Sequence, residues 1–453
     1  MIQQAVQSIP QGTAGTVATG AVLVIGGGIA GIQAALDLAE SGQKVYLVEK
    51  SPAIGGNMAR LDKTFPTNDC SMCILSPKLV ECGRHRNVEL ITLAEVIGLS
   101  GTAGHFTARI RRKARYVDVE KCTGCGACLE KCPVRAQRRV PLGEIPPKTP
   151  PKGSPFDPDV AKHRAIYRPF AQSLPNAPCI DPALCLYLTK GRCRACEKVC
   201  EAKAIHYDDR DVEQDLAVGA VIAAPGYEEF IPGENLELGY RRFPDVVTSL
   251  EFERFLSASG PCAGHVMRVS DGTVPKRLAF LQCVGSRDLG CRHGYCSSVC
   301  CMYAVKQAVI AKEHVKGIEA TVFLMDLRAF GKDFDRYCER AQAQYGVRFV
   351  RGRAYDVVAA DAGDAAGALR VRYASEAGGV SDEVFDMVVL SVGLQPGAGL
   401  RGLARVLGVR VDEFGFLRTG WQAPAATSRP GVFVAGVAAG PKDIPETVVQ
   451  ASA

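Results

Sequence analysis

What this chain lacks narrows it first. None of its 453 residues sits in an apolar run near the ~18 needed to cross a bilayer, so no membrane span is expected. The net charge of +6 is small for the length, and no dense basic stripe with interleaved aromatics is present, which argues against nucleic-acid binding. The start, MIQQAVQSIPQGTAGTVATG, has neither a cationic leader nor an apolar h-region; residues 1–20 read as a disordered tail, not a signal peptide. No serine–histidine or paired-carboxylate arrangement points to hydrolysis. With 47% hydrophobic and 23% charged residues, the chain is long enough for two or three globular domains, and a cytoplasmic location is expected.

Cysteine, by contrast, is abundant. Nineteen are far more than a cytosolic protein uses for packing, and in a reducing compartment clustered thiols are metal ligands or redox groups. Residues 281–308 read LQCVGSRDLGCRHGYCSSVCCMYAVKQA, with Cys300 and Cys301 adjacent. Adjacent cysteines rarely bond to each other, because the peptide between them resists the S–S geometry. Structural thiols, disulfides, zinc and an iron–sulfur cluster all stay open on that stretch alone.

Residues 21–50, AVLVIGGGIAGIQAALDLAESGQKVYLVEK, predict a strand, a glycine turn, a helix and a second strand. Gly26, Gly28 and Gly31 form GxGxxG: one for the tight turn, one for close approach of a pyrophosphate, one for helix–strand packing. Glu49, with Lys50 beside it, ends the second strand where a carboxylate can bind a ribose hydroxyl. FAD is favoured over NAD, because Gly55-Gly56 resembles a second phosphate loop of two-dinucleotide flavoproteins. The returns VGAVIAAPGYE (218–228, with Gly226) and DMVVLSVGLQP (386–396, with Gly393) resemble the same family. GVFVAGVAAGPKDIPETVVQ (431–450, with Gly436) resembles its closing FAD motif, although Val437 replaces the acidic residue expected there. The strand expected at 276–285 is followed by cysteines and not by a second GxGxxG, which argues against an ordinary nicotinamide site.

KCTGCGACLEKCP, residues 121–133, is the bacterial ferredoxin run C-x2-C-x2-C-x3-C-P. A second half follows at Cys185, Cys193, Cys196 and Cys200, with a longer first gap and Glu201 in place of proline. Crossed ligation assigns Cys122, Cys125, Cys128 and Cys200 to one [4Fe–4S] cluster. Cys132, Cys185, Cys193 and Cys196 then hold another. Zinc is the rival occupant, and the run fits a cubane better than a zinc ribbon. Between the halves, residues 141–178 carry ten prolines and should run extended. Cys179 reads as a bystander.

Taken together, these motifs make residues 21–453 resemble the HdrA family of heterodisulfide reductases, the flavin subunit of electron-bifurcating complexes. The likeness rests on VIGGGIAGIQAALDLA, LDKTFPTNDCSMCILSPKLVE, the split insert with CLYLTKGRC, and Cys283-x12-Cys296-x3-Cys300-Cys301. The resemblance implies a noncubane-looking ligand set for a third [4Fe–4S] cluster at Cys283, Cys296, Cys300 and Cys301, beside the flavin. It also implies that Lys306 lies near flavin N5. Cys296, Cys300 and Cys301 are expected at a helix start, whose dipole favours an anionic group; Cys291 and His293 fall outside the set. Cys70 and Cys73 read as either a redox dithiol or ligands of a further cluster, with Cys82 unassigned.

The implied partners are the other subunits of such a complex, ferredoxin and an electron-donating oxidoreductase, with a second copy of the chain. The implied reaction splits electrons between ferredoxin and a disulfide on a partner subunit. Two alternatives remain, a flavin subunit feeding a class II benzoyl-CoA reductase and a non-bifurcating electron-wiring module. The expected fold is α/β, a two-dinucleotide-binding, thioredoxin-reductase-like flavoprotein with an inserted two-cluster ferredoxin-like α+β domain. Its expected parts are the FAD-binding domain (21–117, 209–270 and 396–453), the insert (118–208), and a second Rossmann-like domain (271–395). The family's long members carry further N- and C-terminal domains, so this chain reads as a short form, with its closing part truncated.

Overall fold

The computed structural model describes residues 18–134, 156–157, 164–233, 237–361, 363–365, 367–376 and 378–453. Nearly all of the expected tail and most of the proline-rich stretch lie outside the described residues.

Val22 to Ile25 are apolar because their strand is covered on both faces. Ala21–Ile25 is the middle strand of a five-stranded parallel sheet ordered Val432–Val434, Ala220–Ala223, Ala21–Ile25, Lys44–Glu49, Val88–Thr92. Helix Ile29–Glu40 lays Ile32, Ala35, Leu36 and Ala39 into the same apolar cluster as Val24, Val45 and Leu47. The closing strand comes from near the chain's end, so the first and last segments share one sheet.

A second, seven-stranded sheet runs Val246–Thr248, Met387–Val392, Arg277–Val284, Glu319–Leu324, Arg348–Ala359, Leu369–Ser375, Val380–Phe385. Its first five strands are parallel, and the last two add as an antiparallel meander. Helix Cys300–His314 packs across it, buried along most of its length. The expected α/β architecture of two parallel-sheet modules is therefore present. The return at 386–396 belongs to this second sheet, whereas that at 218–228 belongs to the first.

A three-stranded antiparallel sheet, Ala94–Thr102, His105–Arg112 and Val212–Val218, adjoins the first module. Between two of its neighbouring strands the chain makes an excursion from Lys113 to Asp211. That excursion holds short helices Ala127–Lys131, Leu186–Lys190 and Ala195–Lys198 around a small cluster including Val117, Ala204 and Ile205. Of the proline-rich stretch 141–178, expected to run extended, the described residues form no helix but do contribute one short strand. Ile166–Tyr167 pairs with Cys179–Ile180, because Ile166 and Ile180 are β-branched and find burial there.

The glycine turn is sterically committed. A Cβ on Gly31 would lie 1.8 Å from the Gly26 carbonyl oxygen. Gly31→Ala is expected to destabilise the protein by about 2–3 kcal/mol through overpacking, seen as a lower urea midpoint at unchanged slope.

Candidate functional site

The first candidate site is the glycine cradle at the C-terminal edge of the five-stranded sheet. Gly26 has φ +107°, and a Cβ there would meet the Ala224 carbonyl oxygen at 2.1 Å, so only glycine makes this turn. Around Gly28 the space is open, and helix Ile29–Glu40 begins there without a side-chain cap. Its unpaired amides and dipole suit a phosphate. Gly55 and Gly56, both at positive φ, lay the second loop directly on the first: a Cβ on Gly56 would fall 2.9 Å from Gly28 Cα.

Glu49 is held at this edge by two amides, Gly27 N–H donating to Oε2 at 2.6 Å and Ser51 N–H to Oε1 at 2.7 Å. Lys50 beside it is exposed. Gly226 faces open space after its strand. Gly436 backs the start of the same helix, close to Ala30, and gives its amide to Gln450 Oε1 at 2.9 Å. Gly393 sits elsewhere, tight against the Gly285 carbonyl and Ser297 Oγ in the cysteine loop. The open, uncapped cradle fits a dinucleotide diphosphate.

The second candidate site is the cysteine stretch. Cys283 lies at φ +62° in strand Arg277–Val284, where the register shifts between Leu281 and Val284 and turns the residue out of the ladder. Cys300 and Cys301 open helix Cys300–His314 and are buried. Cys296 precedes that helix in the loop, which corrects the expectation that it occupies the helix start. The four thiols nonetheless converge. Burial first, then repulsion from Cys301 and Cys296, pushes Cys283 up to about 11, with Arg287 opposing. Burial likewise raises Cys300, followed by the other three thiols. Backbone amides already reach two sulfurs: Arg328 N–H to Cys301 Sγ at 3.4 Å and Ser298 N–H to Cys296 Sγ at 3.4 Å. Such a donor set fits a thiolate-ligated cluster.

Lys306 lies two turns along this helix, 2% exposed, in an ion pair with Glu253, itself 1% exposed. Its Nζ also donates to the Lys63 carbonyl at 3.0 Å. Gln307 Nε2 donates to the other Glu253 oxygen at 2.7 Å, and the Asp62 amide donates to Oε1 at 2.9 Å. The loop that follows Gly55-Gly56 is thereby pinned to helix Cys300–His314. Sequence reasoning singled out Lys306 without its partner Glu253, since nothing in SLEFERFL sets Glu253 apart from Glu251.

In the excursion, burial pushes Cys128 up to about 12, followed by Cys122, Cys196, Cys125 and Cys200. Burial raises Cys196 too; Tyr207 opposes through a hydrogen bond, and Cys185 and Cys132 add to it. A small cleft is lined by Cys132, Cys185, Cys193 and Cys196 together. The cleft brings together the second set of the crossed pattern, whereas Cys128 feels Cys196 of that set as well as Cys122, Cys125 and Cys200 of its own. Among the described residues, no three Cys, His, Asp or Glu side chains close on a single ion. A cubane holds its thiolates farther apart than one ion does.

The remaining cysteines divide. Cys70 caps helix Ser71–Arg84, its Sγ accepting from the Cys73 amide at 3.2 Å, and both thiols are exposed. Cys82 and Cys179 are buried. His293 packs between Phe230 and Tyr295 with Nδ1 3.1 Å from the Gly285 carbonyl oxygen, and Cys291 stays in the loop outside the four. All nineteen cysteines are free.

Two family models match: "FAD dependent oxidoreductase" over residues 21–163 and "Pyridine nucleotide-disulphide oxidoreductase" over 293–453. The first supports FAD as the group held in the cradle. The HdrA-type subunit of the H(2):CoB-CoM heterodisulfide,ferredoxin reductase of Methanothermobacter marburgensis is 46% identical over 435 residues, covering 95% of this chain and 62% of that protein. By sequence, this chain is a homologue of HdrA-type subunits. Its likeness extends to the corresponding iron-sulfur subunit of the CoB--CoM heterodisulfide reductase of Methanocaldococcus jannaschii, 46% identical over 95% of this chain and 62% of that one. The corresponding subunit of the Ferredoxin:CoB-CoM heterodisulfide reductase of Methanosarcina mazei is 39% identical over 95% of this chain and 52% of its own. The chain thus spans about half to two thirds of the length of these relatives. Among solved structures, a Lactococcus lactis thioredoxin reductase overlays with a TM-score of 0.49 at 16% identity, covering 95% of each chain, too loose to add to the topology above. No helix among the described residues is long and apolar enough to cross a membrane.

One titratable group has no signature in the sequence. Glu229, in the short strand Glu228–Glu229, lies beside Arg60 in a crevice where burial pushes its carboxyl up to about 7 despite Arg60. The folded state therefore keeps this proton at a pH where the unfolded chain has lost it. Its contribution is complete below about pH 4.5 and is lost as pH rises through about 7, on the order of 2–3 kcal/mol. Glu229→Gln should flatten that slope in urea titrations of the flavin-free protein between pH 5 and 8; an unchanged slope would assign it to another group.

Proposed function

We propose that the chain is a cytoplasmic FAD- and iron–sulfur-containing electron-transfer subunit of a heterodisulfide-reductase-type complex. The observation that carries the reading is one rigid helix. Cys300 and Cys301 open it among four converging thiols, and Lys306, farther along it, is tied to the loop that follows the glycine cradle. FAD supplies the exchange between two-electron and one-electron chemistry. Gly26, Gly28, Gly31, Gly55 and Gly56 would hold its diphosphate and Glu49 its ribose. Lys306 would offer its ammonium to the ring, with Glu253 and the Lys63 carbonyl fixing its place.

Three [4Fe–4S] clusters complete the assignment. Cys283, Cys296, Cys300 and Cys301 would hold one. The insert would hold two, in the crossed sets Cys122, Cys125, Cys128, Cys200 and Cys132, Cys185, Cys193, Cys196. Electrons enter from a partner oxidoreductase and leave singly, one toward ferredoxin and one toward a disulfide on a partner subunit. The name of the Methanothermobacter marburgensis relative, which sets heterodisulfide and ferredoxin together opposite H(2), supports those two destinations.

Anaerobic purification with iron, sulfide and flavin assays tests the reading. About twelve irons per FAD are expected, and Cys301→Ala should lose about four. Zinc, or about eight irons in the unaltered protein, would remove the Cys283 site. A Lys306→Ala variant should shift the flavin midpoint while keeping its iron; an unmoved midpoint at full flavin occupancy would take Lys306 off the ring.

A further inference from the structure

The two thiol sets of the excursion are chemically unequal. Around Cys122, Cys125, Cys128 and Cys200, the backbone amide of Ala204 reaches Cys200 Sγ at 3.3 Å. The cleft of the other set has in addition a roof made by Tyr187, Arg194 and Tyr207. Tyr207 Oη lies 3.0 Å from Cys196 Sγ. A cysteine that ligates a cluster is a thiolate with no proton to give, so the phenol must be the donor. The ring that carries this hydroxyl is held in place: it packs on Tyr187 at 4.3 Å between centroids. The Arg194 guanidinium lies 5.1 Å from the Tyr187 ring and 5.7 Å from the Tyr207 ring, and Nη2 donates to Glu197 Oε1 at 2.7 Å.

Reduction of an iron–sulfur cluster adds negative charge, part of which falls on the sulfurs. A hydrogen bond to sulfur strengthens with that charge and so favours the reduced form. Resting on the cluster assignment above, we propose that Tyr207 is a positioning residue. It raises the reduction potential of the cluster at Cys132, Cys185, Cys193 and Cys196 above that of its neighbour, making it the place where an electron in the insert comes to rest. The step is a one-electron transfer between the two clusters. The neighbour is oxidised by one electron, this cluster is reduced by one, no bond breaks, and the phenol keeps its proton.

The test is an anaerobic redox titration of the full chain followed by EPR, with iron counted on every sample. Cys193→Ala should remove about four irons and one EPR signal, which identifies the cluster; if no iron is lost, the cluster assignment itself fails. Tyr207→Phe should keep its iron and become about tenfold harder to reduce at that cluster alone, a shift of about 59 mV for one electron. Full iron with an unmoved midpoint overturns the proposal. If Tyr207→Phe sheds its cluster, Tyr207→3-fluorotyrosine keeps the shape with a more acidic phenol. That variant must raise the midpoint, and no rise overturns the proposal as well.

Discussion

The buried pair of Lys306 and Glu253 is the constraint on which the arrangement of the two modules depends. Glu253 comes from helix Ser249–Leu256 and Lys306 from Cys300–His314, and both reach the loop at Asp62 and Lys63. Arg254, 1% exposed, adds a bond to the Arg60 carbonyl at 3.3 Å and an ion pair with Asp157. Two charges taken out of water are tolerated only where nearly every lone pair and proton finds a partner, and such pairs contribute more to geometry than to net stability. Here the geometry is what matters. Cys300 and Lys306 are six residues apart on one helix, about 9 Å along its axis. Fixing the lysine against the loop after Gly55-Gly56 therefore also fixes the thiols relative to the cradle.

The same low-dielectric setting governs the thiols. Cys283, Cys300 and Cys301 are each pushed up chiefly by burial, and each adds to its neighbours' difficulty in ionising. Four thiolates cannot share such a space without positive charge among them. The protein supplies part of it through Arg287, and Asp326 holds both Arg287 and Arg328 at the rim. In the proposed cluster assignment metal would supply the rest, its binding driving the protons off. A helix N-terminus and two backbone amides on sulfur complete an environment built for an anion.

How much of this is legible follows from sequence distance. The glycine turn, its helix and Glu49 lie within one short segment, and their spacing states their geometry. The C-x2-C-x2-C-x3-C run is local in the same way. The i, i+4 spacing to Cys300 allows Cys296 a place in the helix; the chain instead starts the helix at Cys300, after Ser298 at positive φ. Gly393 resembles a flavin-side return, yet its strand belongs to the other sheet. The ion pair of Lys306 with Glu253 and the bond of Tyr207 to Cys196 join residues whose partners no local pattern names. Periodicity reports which face is buried, not which polar group waits there.

Both principal joints of the molecule contain a buried charge, and this shapes how its parts can act. The excursion is tied to the first module by Arg115, a buried guanidinium that donates to the Ala177 carbonyl at 2.9 Å and Thr92 Oγ1 at 2.8 Å. Burial lowers its proton affinity, and its partners on these bonds are neutral oxygens. The second module is tied by the Lys306 network. Apolar contact crosses both joints as well: Phe156, Phe170 and Leu174 of the excursion join the first module's cluster, and Val299 and Leu394 meet Phe416 and Val437. Apolar contact would let surfaces slide with little change in energy, whereas a buried hydrogen-bonded charge loses much when its acceptor moves. The buried charges at these joints thus hold the cradle and the thiol sets in fixed register. They also leave the residues around each thiol set, Tyr207 among them, free to tune it independently.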